Sequence, residues 1–308
     1  MEIVMQFCLL ALGFVMLAKG ADWFVEGAAG IAARFGIPQL VIGLTIVAMG
    51  TSAPEAAVSI AAAMSGNADI TIGNIVGSNI LNILIILGLA AMITPLAVAR
   101  STVRIETPFM VLVTALLYYL GADGVISLAD GLILCAGFLM YLAYLYKIAQ
   151  NNEVDEETPE PGFRLGYSLL WTLIGLGMII GGSKVTVDAA TAIARFAGLS
   201  ERFIGLTIVA LGTSLPELFT TVAAASRGNA DIAIGNIVGS NIFNILFVVG
   251  VSALIVPIPF ASAFFFDMQV ALATAGILAV FSYTGSRLQR WEGALLLAAY
   301  VVYLWYIL

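Results

Sequence analysis

Apolar residues run along this chain in long blocks, each broken by Gly, Pro or charged positions, and the blocks have the roughly 20-residue length that crosses a bilayer. They predict ten helices, at 3–31, 38–63, 69–95, 103–121, 126–148, 164–196, 200–225, 231–256, 264–283 and 288–308. The one long hydrophilic stretch, 149–163 (AQNNEVDEETPEPGF), is rich in acids and prolines and reads as a solvated connector. It divides the chain into a first half, 1–148, and a second half, 164–308, of five helices each. The first apolar block follows an acidic Glu2 rather than a basic start, so it is read as a span and not as a cleaved leader.

Polar positions inside these blocks are few, and they recur. Residues 43–88 return at 205–250 with a constant offset of 162 and 32 of 46 positions identical. Each copy places a carboxylate, Glu55 or Glu217, one residue after a proline in an otherwise apolar stretch. A charge at that depth is costly, which makes it a candidate functional group.

Composition supports a lipid solvent: 61% hydrophobic residues, 10% charged and a mean hydropathy of +1.07. The net charge of -7 with few, scattered basic residues gives no nucleic-acid footprint. Cys8 and Cys135 sit in apolar runs as small buried hydrophobes. Histidine is absent, which removes the commonest transition-metal ligand and proton shuttle and leaves an inventory of oxygen donors.

Short-loop basic residues set the orientation. Arg34, Arg100, Arg104, Lys147, Arg164, Arg227, Arg287 and Arg290 fall on one side, and Arg195 and Arg202 on the other. The richer side is expected to be cytoplasmic, with the 149–163 connector, and both termini outside. An odd number of spans per half then makes the second repeat enter upside down, related to the first by a pseudo-two-fold axis in the membrane plane. The predicted fold is all-α, an integral membrane bundle of ten helices in two inverted five-helix repeats.

Within the second helix of each half, Pro54 and Pro216 remove an N–H and crowd the carbonyls of Gly50 and Gly212, and the residue before each proline, such as Ala53, is pushed away from helical angles. Carbonyls near Ala48 to Thr51 and Ala210 to Thr213 are expected to be freed, which is tolerated in a membrane only against protein or a hydrated cavity. Thr51, Ser52 and Glu55, mirrored by Thr213, Ser214 and Glu217, add hard oxygen donors suited to calcium and alkali-metal ions. In the next helix Asn74, Ser78 and Asn82 share a face, as do Asn236, Ser240 and Asn244. Gly73 and Gly77, with Gly235 and Gly239, form G-x-x-x-G patches that allow close approach. Four helices are expected to meet around an oxygen-lined cavity. Each feature alone has a plainer account: a proline kink, helix packing, an interhelical hydrogen bond, a buried ion pair or a protonated acid. Two carboxylates brought together without a basic residue beside them must share a proton or hold a cation, and a bound cation fits the donor set better.

At these residues, G-T-S-x-P-E followed by G-N-x-x-G-S-N-x-x-N and both present twice, the chain resembles the sodium/calcium exchangers of the calcium/cation antiporter superfamily, in particular their prokaryotic members. The resemblance covers nearly the whole chain and implies a multi-pass protein of the cell's inner (plasma) membrane. It implies that Glu55 and Glu217 are shared calcium and sodium ligands and that Thr51 and Thr213 give oxygens to calcium. Ser52, Ser78, Ser214 and Ser240 are implied as sodium ligands, helped by the carbonyls of Ala48 and Ala210, with Asn82 and Asn244 completing the centre. Potassium-dependent relatives typically carry Asp at the place of Asn244, so the amide argues against potassium co-transport. The long calcium-sensor domain of animal exchangers has no counterpart in a connector of about 15 residues.

The expected activity is antiport of sodium against calcium by alternating access, with no cofactor and with the two ions and the bilayer as partners. Two carboxylates supply about -2, which one calcium or several overlapping sodium ions neutralise. The resemblance implies three sodium per calcium, hence an electrogenic cycle. Helices 3–31 and 164–196 are expected to move against the polar core, eased by Gly13, Gly20, Gly175 and Gly181. Lys19, Asp22 and Glu26, with Lys184 and Asp188, form either an ion-paired interface or a gate. A calcium/proton antiporter and a cation channel remain alternative readings; an enzyme is disfavoured, because no Ser-Lys pair or metal triad marks the repeat core.

Overall fold

The computed structural model describes residues 2–65, 69–151, 165–198 and 210–307. Their helices are α1 (Glu2–Phe35), α2 (Gln39–Thr51), α3 (Ala53–Met64), α4 (Ile70–Ile93), α5 (Thr102–Asp123) and α6 (Leu128–Asn151). After the connector come α7 (Leu165–Phe196), α8 (Ala210–Thr213), α9 (Leu215–Ser226), α10 (Ala230–Ile255), α11 (Phe264–Gly285) and α12 (Arg290–Ile307). Seven of these are long and apolar enough to cross a membrane, and α2 with α3 makes an eighth as one bent span. The expected connector lies almost wholly in 152–164, outside the described residues, as does the start of the expected 200–225 helix.

The offset of 162 is visible in the backbone. Gly36 and Gly198 take φ of 61° and 78° just past the ends of α1 and α7, a left-handed turn that glycine adopts without steric cost. π-helical turns occupy Asn82–Leu87 in α4 and Asn244–Val249 in α10. Two-residue strands β1 (Leu96–Ala97), β2 (Val125–Ile126), β3 (Ile258–Pro259) and β4 (Arg287–Leu288) follow the same spacing. They pair across the halves: β1 with β4, matching Leu96 to Leu288, and β2 with β3, matching Ile126 to Ile258. The apolar pattern contained no signal for these pairings, because two residues cannot show an alternation.

The break in the second span falls one residue earlier than expected. Ala53 stays helical, and Ser52, at φ -83° and ψ 7°, leaves the helix, with a 49° bend between α2 and α3. Pro54 thereby sits in the first turn of α3, where its missing N–H has no intrahelical partner to lose. Ser214, at φ -89° and ψ 2°, does the same before α9. The carbonyl of Ala48 is not freed, since it accepts the Ser52 N–H at 3.0 Å.

Apolar character alone does not sort these helices, but burial does. In α4 and α10 the most apolar windows are 78% and 83% buried, whereas in α1 that share is 17%. α4 and α10 therefore form the centre, and α1 lies against lipid with α7 as its main partner. Gly20 and Gly175 meet where these two helices cross: a Cβ on Gly175 would lie 2.7 Å from the Gly20 carbonyl, and one on Gly20 would lie 2.9 Å from the Gly175 carbonyl. In α10, a Cβ on Gly235 or Gly239 would stand 3.0 Å from the Leu40 carbonyl or 2.8 Å from Leu44, so this G-x-x-x-G patch is a close contact with α2. The neighbours equivalent by the repeat for Gly73 and Gly77 fall mostly in 202–209, outside the described residues.

Gly175→Val is expected to push α1 from α7 and cost about 1–3 kcal/mol as an overpacked contact. A thermal melt of the purified protein in detergent checks it, and an unchanged midpoint would refute the close approach.

Candidate functional site

Helix breaks at Ser52 and Ser214 bring the starts of α3 and α9 face to face between α4 and α10. Glu55 is 1% exposed and Glu217 0%, and each lies within reach of the other's charge. Their nearest donors cross between the repeats: the Ser52 hydroxyl donates to Glu217 Oε1 at 2.6 Å, and Ser214 donates to Glu55 Oε1 at 3.2 Å. Thr51 lies near Glu217, and Thr213 near Glu55. Each half thus builds the carboxylate and its partner half supplies the hydroxyls. Among the described residues no ion pair reaches these acids; Arg227 pairs instead with Asp22 and Glu26 at 3.4 and 3.5 Å.

Hydroxyls and carbonyls extend the cluster. The Ser214 and Ser78 hydroxyl oxygens lie 3.4 Å apart, Ser240 donates to the Ala48 carbonyl at 3.4 Å, and Thr51 donates to Asn236 Oδ1 at 3.0 Å. Ala210 begins α8, but its side chain falls outside the described residues. Asn82 and Asn244 lie one turn beyond Ser78 and Ser240, and both are buried. The predicted site residues described here therefore come together.

Asn74 and Asn236 act as ties. Asn74 Nδ2 bonds Ser59 Oγ at 2.9 Å, and Asn236 Nδ2 bonds Thr221 Oγ1 at 2.9 Å, holding α3 to α4 and α9 to α10. Sequence reasoning missed Asn79 and Asn241, which exchange bonds with each other and with Asn82 and Asn244. Their signal was present as the third letter of the twice-written G-S-N, which falls off the helix face of Asn74, Ser78 and Asn82.

Four buried oxygens in this group have no hydrogen-bond partner: Glu55 Oε2, Glu217 Oε2, Asn82 Oδ1 and Asn244 Oδ1. A buried acceptor left alone costs about 1–3 kcal/mol, more when charged, so four acceptors with two carboxylates among them call for a cation. Among the described residues no three His, Cys, Asp or Glu side chains cluster as a metal site. The donor set is two acids with neutral hydroxyls, amides and carbonyls, suited to hard ions that must also leave.

Beside this group is a cavity of about 470 Å³, lined in part by Pro54, Thr213, Gly212 and Ser183 together with Lys184 and Asp188. Ser183 donates to the Gly212 carbonyl at 2.6 Å and ties α7 to the break before α9. Lys184 and Asp188 thus border an approach to the acids, while Asp22 and Glu26 of α1 are ion-paired to Arg227.

Comparison with known proteins places the chain among transporters. A family model described as sodium/calcium exchanger protein matches residues 5–147 and 167–308. The sodium/calcium exchanger MaX1 of Methanosarcina acetivorans is 34% identical over 98% of both chains. The putative antiporter CaxA of Alkalimonas amylolytica is 40% identical over 94% of this chain and 95% of its own. A solved structure of the sodium-calcium exchanger NCX_Mj superposes with a TM-score of 0.88 at 34% identity, over 99% of this chain and 100% of that one.

Ser52→Ala removes a charge-assisted hydrogen bond from Glu217 and is expected to lower the stability of the protein by about 1.5 kcal/mol, read as a lower thermal midpoint in detergent. An unchanged midpoint would separate Ser52 from Glu217.

Proposed function

The chain belongs to the sodium/calcium exchanger family, and from that premise we propose that it exchanges sodium for calcium at the paired glutamates by alternating access. Members of the family are secondary transporters, so the chain is a multi-pass membrane cation antiporter and not an enzyme, and it needs no cofactor. One observation carries the ionic reading: two carboxylates buried in the protein core, each accepting a hydrogen bond from the other half's serine.

Glu55 and Glu217 act as the shared ligands. Thr51 and Thr213 assist calcium, Ser52, Ser78, Ser214 and Ser240 with the carbonyls of Ala48 and Ala210 hold sodium, and Asn82 and Asn244 complete the shell. A charge of about -2 is matched by one calcium or spread over several sodium ions, so the two loads exclude each other, and exclusion couples the fluxes. Three sodium per calcium makes the cycle electrogenic. The amide at Asn244 keeps potassium out of it.

Ten spans in two inverted five-helix halves, 1–148 and 164–308, fit this function, with 149–163 cytoplasmic and both termini outside. The cross-pairing of strands supports that arrangement. β1 and β4 fall in loops that ten-span threading puts on one side, and β2 and β3 in loops that it puts on the other. Even numbers of spans per half would separate β1 from β4 by the membrane. The cell membrane is then the site of action.

The second reading is calcium/proton antiport at the same acids, since buried carboxylates also accept protons. Proteoliposomes loaded with sodium and diluted into sodium-free buffer separate the two. Calcium uptake is expected to follow the sodium gradient, to persist with potassium omitted, and to vanish in Glu55→Gln and Glu217→Gln proteins that still purify folded. Uptake driven by a pH gradient alone would favour the proton reading, and normal uptake by either variant would reject the site.

A further inference from the structure

Four of the five buried asparagines of α4 and α10, Asn79, Asn82, Asn241 and Asn244, form a closed set whose polarity two main-chain carbonyls determine. Asn79 Nδ2 donates to the Asn241 carbonyl at 3.2 Å, and Asn241 Nδ2 donates to the Asn79 carbonyl at 3.2 Å. A carbonyl only accepts, so each of these amides must aim its nitrogen there and its oxygen the other way. Those two oxygens are the acceptors for the next pair: Asn82 Nδ2 donates to Asn241 Oδ1 at 2.9 Å, and Asn244 Nδ2 donates to Asn79 Oδ1 at 3.0 Å. With their nitrogens so engaged, Asn82 and Asn244 are left with Oδ1 unpartnered, and all four side chains are at most 5% exposed.

We propose that Asn79 and Asn241 are positioning residues that hold the amides of Asn244 and Asn82 oxygen-first toward the transported cation, and that they thereby require a hydrogen-bond donor, hence a neutral side chain, at positions 82 and 244. The inference rests on the exchange reading of this site. Its physical content is a relay across the repeats: the carbonyl of 241 orients Asn79, which orients Asn244, and the carbonyl of 79 orients Asn241, which orients Asn82. Flipping one amide sets oxygen against oxygen at one of its two bonds, so the loop resists reorientation as a unit. The relay therefore leaves the two glutamates as the site's only formal charges. It also gives the same oxygen-first orientation to both halves. The π-helical turns begin at Asn82 and Asn244, where a shift in the helical ladder alters the direction of the side chains that follow.

Double-mutant cycles read by calcium-dependent thermal stabilisation and by sodium-gradient-driven calcium uptake test the assignment. Asn79→Ala and Asn241→Ala should each weaken calcium binding about tenfold or more, as loss of an orienting partner does at metal sites. Asn79→Ala should add almost nothing when Asn244 is already Ala, and Asn241→Ala almost nothing when Asn82 is already Ala. The crossed combinations, 79 with 82 and 241 with 244, should multiply. A merely structural role would give multiplication in every combination and overturn the relay.

Asn244→Asp gives a contrast of sign. Coulomb attraction alone would make an added carboxylate tighten calcium binding, whereas the relay sets it against Asn79 Oδ1 and weakens binding, and Asn79→Ala in the same protein restores it. Tighter binding with Asn79 intact would overturn the proposal. If the alanine proteins do not fold, a calcium-loaded structure of the unmodified chain decides: Asn244 Nδ2 bonded elsewhere than Asn79 overturns it, and the bond kept with Oδ1 at about 2.3–2.6 Å from calcium supports it. Glu55→Gln serves as the control. If that variant transports normally, the exchange reading itself fails; if it loses calcium while the cycles multiply throughout, only the relay fails.

Discussion

Two buried carboxylates side by side, with no ion pair to either among the described residues, are the constraint that the rest of this structure answers. An isolated carboxylate moved from water into a low-dielectric interior costs several kcal/mol even after relaxation, and a second one beside it adds repulsion. The fold brings Glu55 and Glu217 together all the same, through helix breaks at Ser52 and Ser214 whose hydroxyls cross to the opposite acid. Such an arrangement is stable only when positive charge from outside the chain completes it. An ion that completes it must also be able to leave, which a shell of hydroxyls and amides around two acids permits better than a cluster of three or four acids.

Crossing contacts recur at every level. Strands pair between halves, serines serve the other half's glutamate, and asparagines exchange bonds between the halves. Neither copy of the motif therefore completes these bonds by itself. The repeat supplies two sets of polar groups that are complementary because they are alike. Departures from the repeat cluster just after each acid, where 56–60 (AAVSI) answer 218–222 (LFTTV): Ser59 becomes Thr221, which still accepts from Asn236, whereas Gly-Thr-Ser, Pro-Glu and Gly-Ser-Asn are among the stretches that repeat without change.

Much of this was legible in the chain. Blocks of apolar residues placed the helices to within a few positions, because in lipid the backbone must satisfy itself and only length and turn residues remain to be read. The acids stood out as charges in an apolar run, and their hydroxyl neighbours followed from the repeat. The one-residue error at Ser52 has a specific cause. A proline disfavours helical angles in the residue before it, but a proline in the first turn of a new helix is well placed, and the local rule for Ala53 gave way to that larger arrangement. The π-helical turns and the roles of Asn79 and Asn241 were not legible, since both depend on which groups meet across the halves, and distance in sequence carries no record of that.

The distribution of polar ties separates a rigid core from a pair of helices that can move. α3, α4, α9 and α10 are fastened by buried amide, hydroxyl and carbonyl bonds, among them the four of the asparagine set and the Asn74 and Asn236 ties. Shifting α4 against α10 would break several of these at once and leave each group unpartnered in lipid. α1 and α7 instead meet each other through glycine and main chain, and lean on the core largely through apolar contact. Polar links that bind this pair to the core include Ser183 to the Gly212 carbonyl and the exposed pairs of Arg227 with Asp22 and Glu26. Exposed ion pairs contribute about 0–1 kcal/mol each, and a serine bond about 1 kcal/mol. A displacement of α1 and α7 therefore opposes a far smaller barrier than any rearrangement of the acids, so access to the site can change while its geometry is kept.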